Sequence, residues 1–361
     1  MKIGIIHGFV GGGGGTEKTL YAIIEALIEG GHKVTLYTIS KPSVKIPGIK
    51  IISTLPFHLP IFGLYQRYME SKLIEKANDE DLIIQASGGL VLPRKKNQKV
   101  IIYCHHDFQN ETKKDVTKYK GAWSWYYKPY YILSQQFVKQ INNENILFIS
   151  NSKFIQDSIK RNFSKDSIVI YPPVELELFK NDSKKEQSAI TISRYSQEKN
   201  LEFAIDVFQD INVSYTIIGN TKARVNKLYY EKIANKLKDL KKSKISLLPN
   251  IERNQVVDNL KKSKVYFHAS PETFGISIVE SIVAGCIPIV PDNSAHKETI
   301  PINELRYRPD DKKDAQEKID KALAGDYDKL IKPLQDSLKN YDKKTFKDAL
   351  LSFIENMKTR V

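Results

Sequence analysis

No apolar run in this 361-residue chain approaches the roughly 18 residues that a membrane span requires. The chain enters a strand-like segment at Lys2 to His7 without the layout of a signal peptide, so a cytoplasmic protein is expected. Cysteine is nearly absent: Cys104 and Cys286 are the only two, each in or beside a buried-strand pattern. Free core thiols fit that pattern better than a disulfide framework or a metal site. Two nucleotide fingerprints are also missing, each by one residue. A Walker loop needs Gly directly before Lys18-Thr19, where Glu17 stands, and a dinucleotide turn needs Gly at position 16, where Thr16 stands.

The apolar content, 41%, is that of a soluble globular protein, and the length suits two domains with a core each. Net charge is +14, spread over both halves: 24 basic against 16 acidic residues up to position 180, and 32 against 26 beyond it. Such a balance admits nucleic acid, anionic lipid or a phosphorylated small molecule as partner without choosing among them. Asp79-Glu80-Asp81 could pass for a metal-binding Asp-x-Asp, but a charged turn leading into a buried strand accounts for it better.

Ser270 to Pro291 forms one site-building unit. Lys264 to His268 and Cys286 to Val290 read as strands, and Ile276, Val279, Ile282 and Val283 repeat at helical spacing between them. Phe274-Gly275 falls at the loop-to-helix junction, so the N–H groups of Gly275, Ile276 and Ser277 would favour an anion, typically phosphate. Glu272 and Glu280 flank that place, eight residues apart. Alone, Glu272 could be a helix-entry charge and Glu280 a solvated helix residue; together they suit hydroxyls on either side of a phosphate.

The chain opens strand, glycine turn, helix, strand over residues 2 to 39, with five successive glycines at Gly11 to Gly15 where backbone turns or approaches a guest closely. Leu82 to Ala86, Val100 to Cys104, Ile146 to Ser150 and Ile168 to Tyr171 are further strands, and Ser152 is the N-cap of a helix to Arg161. His105-His106-Asp107 ends the second of these strands, where open α/β sheets place ligands. Adjacent side chains face opposite ways, so one of His105 and His106 would reach the crevice, and either could be a packed structural histidine. Lys118 to Lys139 interleaves lysines with Trp123, Trp125, Tyr126, Tyr127, Tyr130, Tyr131 and Phe137, a pattern suited to lipid headgroups, single-stranded nucleic acid or helix packing. The polar run Lys180 to Ser188 reads as a linker. Beyond it Ala189 to Ser193 starts a second series, with Arg194 and Lys199 at that strand's carboxyl end.

Glu272, Phe274, Gly275, Glu280, Ala284 and Gly285 resemble the E-x7-E signature of retaining glycosyltransferases of family four. Gly14-Gly15-Thr16-Glu17 resembles the family's Gly-Gly-x-Glu turn, which faces the donor sugar and diphosphate. His105-His106-Asp107 resembles its histidine segment, and Arg194 with Lys199 its cation pair on the diphosphate. Most of the chain is covered, with the motifs in order. Family members more often carry Gly-Gly where Ser294-Ala295 stands here, in the polar loop Asp292 to Thr299.

That resemblance implies a GT-B fold: two Rossmann-like doubly wound α/β domains facing across a cleft, an acceptor domain at 1–180 and a nucleotide-sugar domain at 181–342. The helix from Lys343, in 343–361, is expected to cross back onto the first domain. It further implies a retaining transferase that needs no cofactor or metal and takes a nucleotide-sugar donor, GDP-mannose or a UDP-sugar. Arg194, Lys199 and the Gly275–Ser277 helix start would hold the leaving diphosphate, Glu272 the donor sugar, Glu280 the ribose, and His105 or His106 the acceptor side. Tyr-Tyr-x-x-Tyr-Tyr at 126–131 resembles mannosyltransferases that extend lipid-linked oligosaccharides. The implied acceptor is a polyprenyl-linked glycan, and the partner an anionic membrane surface rather than nucleic acid, with the protein peripheral on its inner face. A GT-B enzyme of another type, such as a sugar-nucleotide epimerase, and a basic nucleic-acid-binding protein are the competing readings.

Overall fold

Runs of Ile and Val that bury both faces make parallel strands, because helices must then cover each side of the sheet. A computed structural model of the chain describes all residues except 12, 58–68, 90, 96, 108–124, 126–127, 129–131, 133–137, 140, 142, 181–183, 241–243 and 359–361. The chain divides into two units, Met1–Pro173 with Lys343–Val361, and Val174–Asp342.

Seven strands form the sheet of the first unit: β1 (Lys2–Ile6), β2 (Lys33–Ser40), β3 (Lys50–Leu55), β4 (Leu82–Gln85), β5 (Lys99–Cys104), β6 (Ile146–Ser150) and β7 (Ser167–Val169). Their order is β3-β2-β1-β4-β5-β6-β7, and every pairing is parallel. Helix α1 (Gly15–Glu29) follows β1, and α2 (Lys153–Phe163) follows β6. The Ser152 hydroxyl caps α2 by accepting from the Ile155 N–H at 3.2 Å. Chain order reverses between β1 and β4, so the crevice of this sheet opens at their carboxyl ends.

Six parallel strands form the second sheet: β8 (Glu186–Ile192), β9 (Ser214–Gly219), β10 (Ile245–Pro249), β11 (Ser263–Phe267), β12 (Ile287–Pro291) and β13 (Arg306–Tyr307), in the order β10-β9-β8-β11-β12-β13. Helices α3 (Leu201–Phe208), α4 (Arg224–Asp239), α5 (Arg253–Lys262), α6 (Ile276–Val283) and α7 (Lys312–Ala324) pack around it. Here the reversal lies between β8 and β11. The last helix, α8 (Lys343–Lys358), belongs to the first unit, where Phe346, Leu350 and Ile354 join the core built by β1 and α1.

Three local readings need correction or completion. Residues 186–188, expected in a linker, open β8, with Ser188 paired to Ser214. Their side chains are not buried, so polar residues fit there. Strand β3 and helix α7 carried too little apolar periodicity to be read. Of the segment 118–139, only residues 125, 128, 132, 138 and 139 are described; Trp123 and the tyrosines lie outside the described residues. Trp125 is 76% exposed, with the Lys128 ammonium 5.3 Å from its ring. Among the described residues no helix is long and apolar enough to cross a membrane.

Candidate active site

Polar side chains converge at the β8/β11 reversal. Strand β11 ends at Phe267, and the buried His268 that follows sets its Nε2 3.0 Å from Glu272 Oε1 and 3.2 Å from Ser270 Oγ. Lys199, in the one-turn helix Gln197–Lys199 after β8, donates to the same Glu272 oxygen. Both partners are mostly covered, with side chains 14% and 20% exposed. Burial raises the Glu272 pKa, but the His268 ring and then the Lys199 ammonium outweigh it, holding the carboxyl well below its ordinary range.

The backbone of Glu272 is fixed as firmly as its side chain. Its N–H donates to Ser294 Oγ at 3.0 Å, and its carbonyl accepts from the Ala295 N–H at 3.1 Å. Ser294 has φ +50, the left-handed conformation a glycine takes without cost. This chain accepts a strained residue there, and its hydroxyl ties the two loops together. Beside them, His296 is buried with Nδ1 3.0 Å from the Pro291 carbonyl and its ring edge-on to His268 at 5.7 Å. Burial, reinforced by His268, pushes its pKa down to about 3.

Gly275 starts α6 with φ +88, and no side chain caps that helix end. The first N–H groups therefore face outward at the same reversal, an arrangement suited to an anion. The Ser277 hydroxyl lies 2.8 Å from the Tyr266 hydroxyl, which donates to the Ile192 carbonyl at 3.2 Å and so joins β11 to β8. Phe274 is packed edge-on against Tyr341 at 5.1 Å, so its ring is core and only its backbone is available to a ligand. Arg194 pairs with Glu198 at 3.2 Å, both exposed, a contact of small energetic weight. Lys199 and Glu272 are thus brought into contact, while Arg194 pairs with Glu198.

Glu280 lies in the second turn of α6 and is nearly fully buried. Arg253, at the first position of α5, grips it with both terminal nitrogens, Nη2 to Oε1 at 2.5 Å and Nη1 to Oε2 at 3.3 Å. Neither Arg253 nor His268 was singled out from sequence. His268 directly follows a parallel strand, four residues before Glu272, the same cue that drew attention to His105. Arg253 is a cation in the first helical turn, which the helix dipole disfavours unless something else holds it.

In the first unit, His7, Gln85 and Ser87 surround the β1/β4 reversal. Glu70 accepts there from the Gly8 N–H at 3.0 Å, from Gln85 Nε2 at 2.9 Å and from the Ser87 hydroxyl. The glycine loop closes on Glu17, whose carboxylate accepts from the N–H of Gly11 at 2.9 Å and of Gly13 at 3.0 Å. Gly14 and Gly15 are left exposed at the start of α1. His105 has its Nε2 3.0 Å from the Ala86 carbonyl, and burial of the ring pushes its pKa down to about 3. His106 lies against Gly88, and Asp107 accepts from the Ser158 hydroxyl. Glu80 accepts from the Tyr37 hydroxyl at 2.8 Å and Asp81 from the Lys2 N–H at 2.8 Å, so both serve the sheet.

Comparison with known proteins covers both units. The family described as Glycosyl transferases group 1 matches residues 174–359, and Glycosyltransferase Family 4 matches residues 13–178. An alpha-1,3/1,6-mannosyltransferase, ALG2, of Candida glabrata is 27% identical over 252 residues, 60% of this chain and 53% of the relative. A GDP-Man:Man(3)GlcNAc(2)-PP-Dol alpha-1,2-mannosyltransferase of Dictyostelium discoideum is 24% identical over 224 residues, 56% of this chain and 44% of the relative. The chain thus spans about half the length of these curated relatives. Among solved structures, Anabaena HepE in complex with UDP and glucose superposes with a TM-score of 0.75 at 14% identity, covering 98% of this chain and 99% of that one. The shared fold is GT-B, with its two Rossmann-like parallel-sheet domains.

Proposed function

We propose, since the chain belongs to the group 1 glycosyl transferases, that it transfers a hexose, mannose first, with retention from a nucleoside-diphosphate sugar to a polyprenyl-linked glycan. The observation that carries this reading is the contact of Lys199 with Glu272 at the β8/β11 reversal, beside the uncapped start of α6. As the sugar–phosphate bond breaks, charge develops on the diphosphate; Lys199, Arg194 and the N–H groups of Gly275, Ile276 and Ser277 answer it. Glu272, held ionised, accepts hydroxyls of the donor sugar, and Glu280 accepts from the ribose. Gly14 and Gly15 offer open backbone to the donor. On the acceptor side His106 takes the role, because His105 is tied to Ala86.

Mannose is favoured by the activities of both relatives, and a lipid-linked acceptor by that of the Dictyostelium discoideum enzyme. Positive charge and the exposed Trp125 favour an anionic membrane surface as the place of work. Calorimetric titration with GDP, UDP and ADP tests the donor site. One of them should bind in the micromolar range, about −8 kcal/mol, and failure of all three would overturn the reading. Donor consumed only when acceptor is present would separate transfer from epimerisation, and sedimentation with anionic vesicles at low salt checks the membrane surface.

A further inference from the structure

Arg253 stands at the wrong end of its helix. A helix N-terminus carries about half a unit of positive charge, and the first turn of α5 contains no acid to offset a cation. Nor does the helix need Arg253 for its start, since Glu252 and Gln255 form a complete capping box. The side chain instead leaves its own helix for two others. Its guanidinium lies 4.8 Å from the ring centre of the fully buried Phe179, in the short helix Leu176–Phe179, and both terminal nitrogens engage Glu280 on α6. The Glu280 side chain is 3% exposed, whereas that of Arg253 is 39% exposed.

A two-point Arg–carboxylate fork fixes the plane of the carboxylate, which a lysine cannot do. It takes one acceptor site on each oxygen, of about four that a carboxylate has. We infer that Arg253 is a positioning residue: it holds the Glu280 carboxylate in the orientation that accepts the 2′- and 3′-hydroxyls of a nucleotide's ribose, making the site selective for ribose. This rests on the reading of Glu280 as the ribose contact of a nucleotide-sugar donor. An arginine that merely tied α5, α6 and the 176–179 helix together would, when lost, weaken every nucleotide alike.

The test is calorimetry on the full chain with whichever of GDP, UDP and ADP binds, against its 2′-deoxy and 3′-deoxy forms, for wild type, Arg253→Met and Arg253→Lys. Methionine keeps apolar bulk over Phe179, and lysine keeps the charge without the fork. Wild type should prefer the ribonucleotide by about tenfold, the scale of one hydrogen bond to a charged group. Both variants should bring that ratio to within about twofold, with Arg253→Lys retaining the wild-type melting temperature. A wild-type ratio in either variant, or no ribose preference in wild type, overturns the inference and leaves the donor reading standing. If Arg253→Met does not fold, Arg253→Lys decides alone. A wild type that binds none of the three nucleotides overturns the donor reading and this inference with it.

Discussion

Histidine 296 shows how much a single buried side chain can dictate. Its folded pKa is pushed down to about 3 by burial, with His268 and Lys199 acting in the same direction and Glu272 and the Pro291 carbonyl opposing. The unfolded imidazole protonates near pH 6.5. Its contribution to stability is therefore complete above pH 6.5 and is lost as pH falls towards 3, because the unfolded chain binds the proton first. At pH 5 the loss from this residue alone is about 2 kcal/mol. Thermal melts between pH 7 and 5 should show the second unit losing stability in wild type, with a shallower slope in His296→Gln, which can still donate to Pro291. Parallel slopes in the two proteins would sink the assignment. Glu272 adds loss only at lower pH: its folded pKa is depressed, so its contribution is present above the ordinary carboxylate range and fades as pH falls below it.

Elements were legible in proportion to how apolar and how periodic they are. Strands β1, β4, β5, β6 and β12 read directly because both faces are buried and each carries three Ile, Val or Leu residues in a short run. The edge strand β3 is half exposed and mixes Lys50, Ser53 and Thr54 into its run, so its pattern is lost. Helix α7 buries only Ala315, Ile319 and Ala322, too thin a stripe to stand out among charges. Within the site the eight-residue spacing of Glu272 and Glu280 was visible, since one loop and one helix carry both. Of their partners only Lys199 was named. His268 lies four residues before Glu272, whereas Arg253 and Ser294 come from other segments that the order of strands in the sheet brings to the same place. The α6 start itself offers a test at this scale. A Cβ on Gly275 would lie 2.7 Å from Ile278 Cδ1, with φ at +88, whereas one on Gly14, at φ −80, would meet nothing within 4 Å. Gly275→Ala should cost about 1–3 kcal/mol of stability and weaken nucleotide binding, while Gly14→Ala should leave the melting curve within about 0.5 kcal/mol of wild type. Equal losses in denaturant midpoints for the two would refute the role given to the left-handed Gly275.

At the scale of the whole chain, the first unit is assembled from both ends of the sequence. Residues 343–361 follow the second unit without a break yet belong to the first. The reason is the face that α8 presents: Phe346, Leu350, Ile354 and Met357 recur at helical spacing and enter the core of β1, α1 and β5. Phe346 meets the Tyr103 ring edge-on at 6.1 Å, and the Tyr103 hydroxyl donates to the Ile170 carbonyl at 2.7 Å, linking β5 to the chain after β7. Around this contact Lys343 reaches Glu25 and Lys347 reaches Glu29, each at 2.6 Å. These ion pairs are at the surface and contribute about 0–1 kcal/mol each, so burial carries the attachment. Phe346→Ala should therefore destabilise the first unit by about 3–5 kcal/mol, and Lys343→Ala by less than about 1 kcal/mol. Hydrogen exchange resolves the two units: in Phe346→Ala, protection should fall across β1, α1 and β5 and persist in β8 and β11. Uniform loss over both sheets would mean that the units unfold as one. Loss confined to α8 would mean that the helix is an appendage, and that the core of the first unit stands without it.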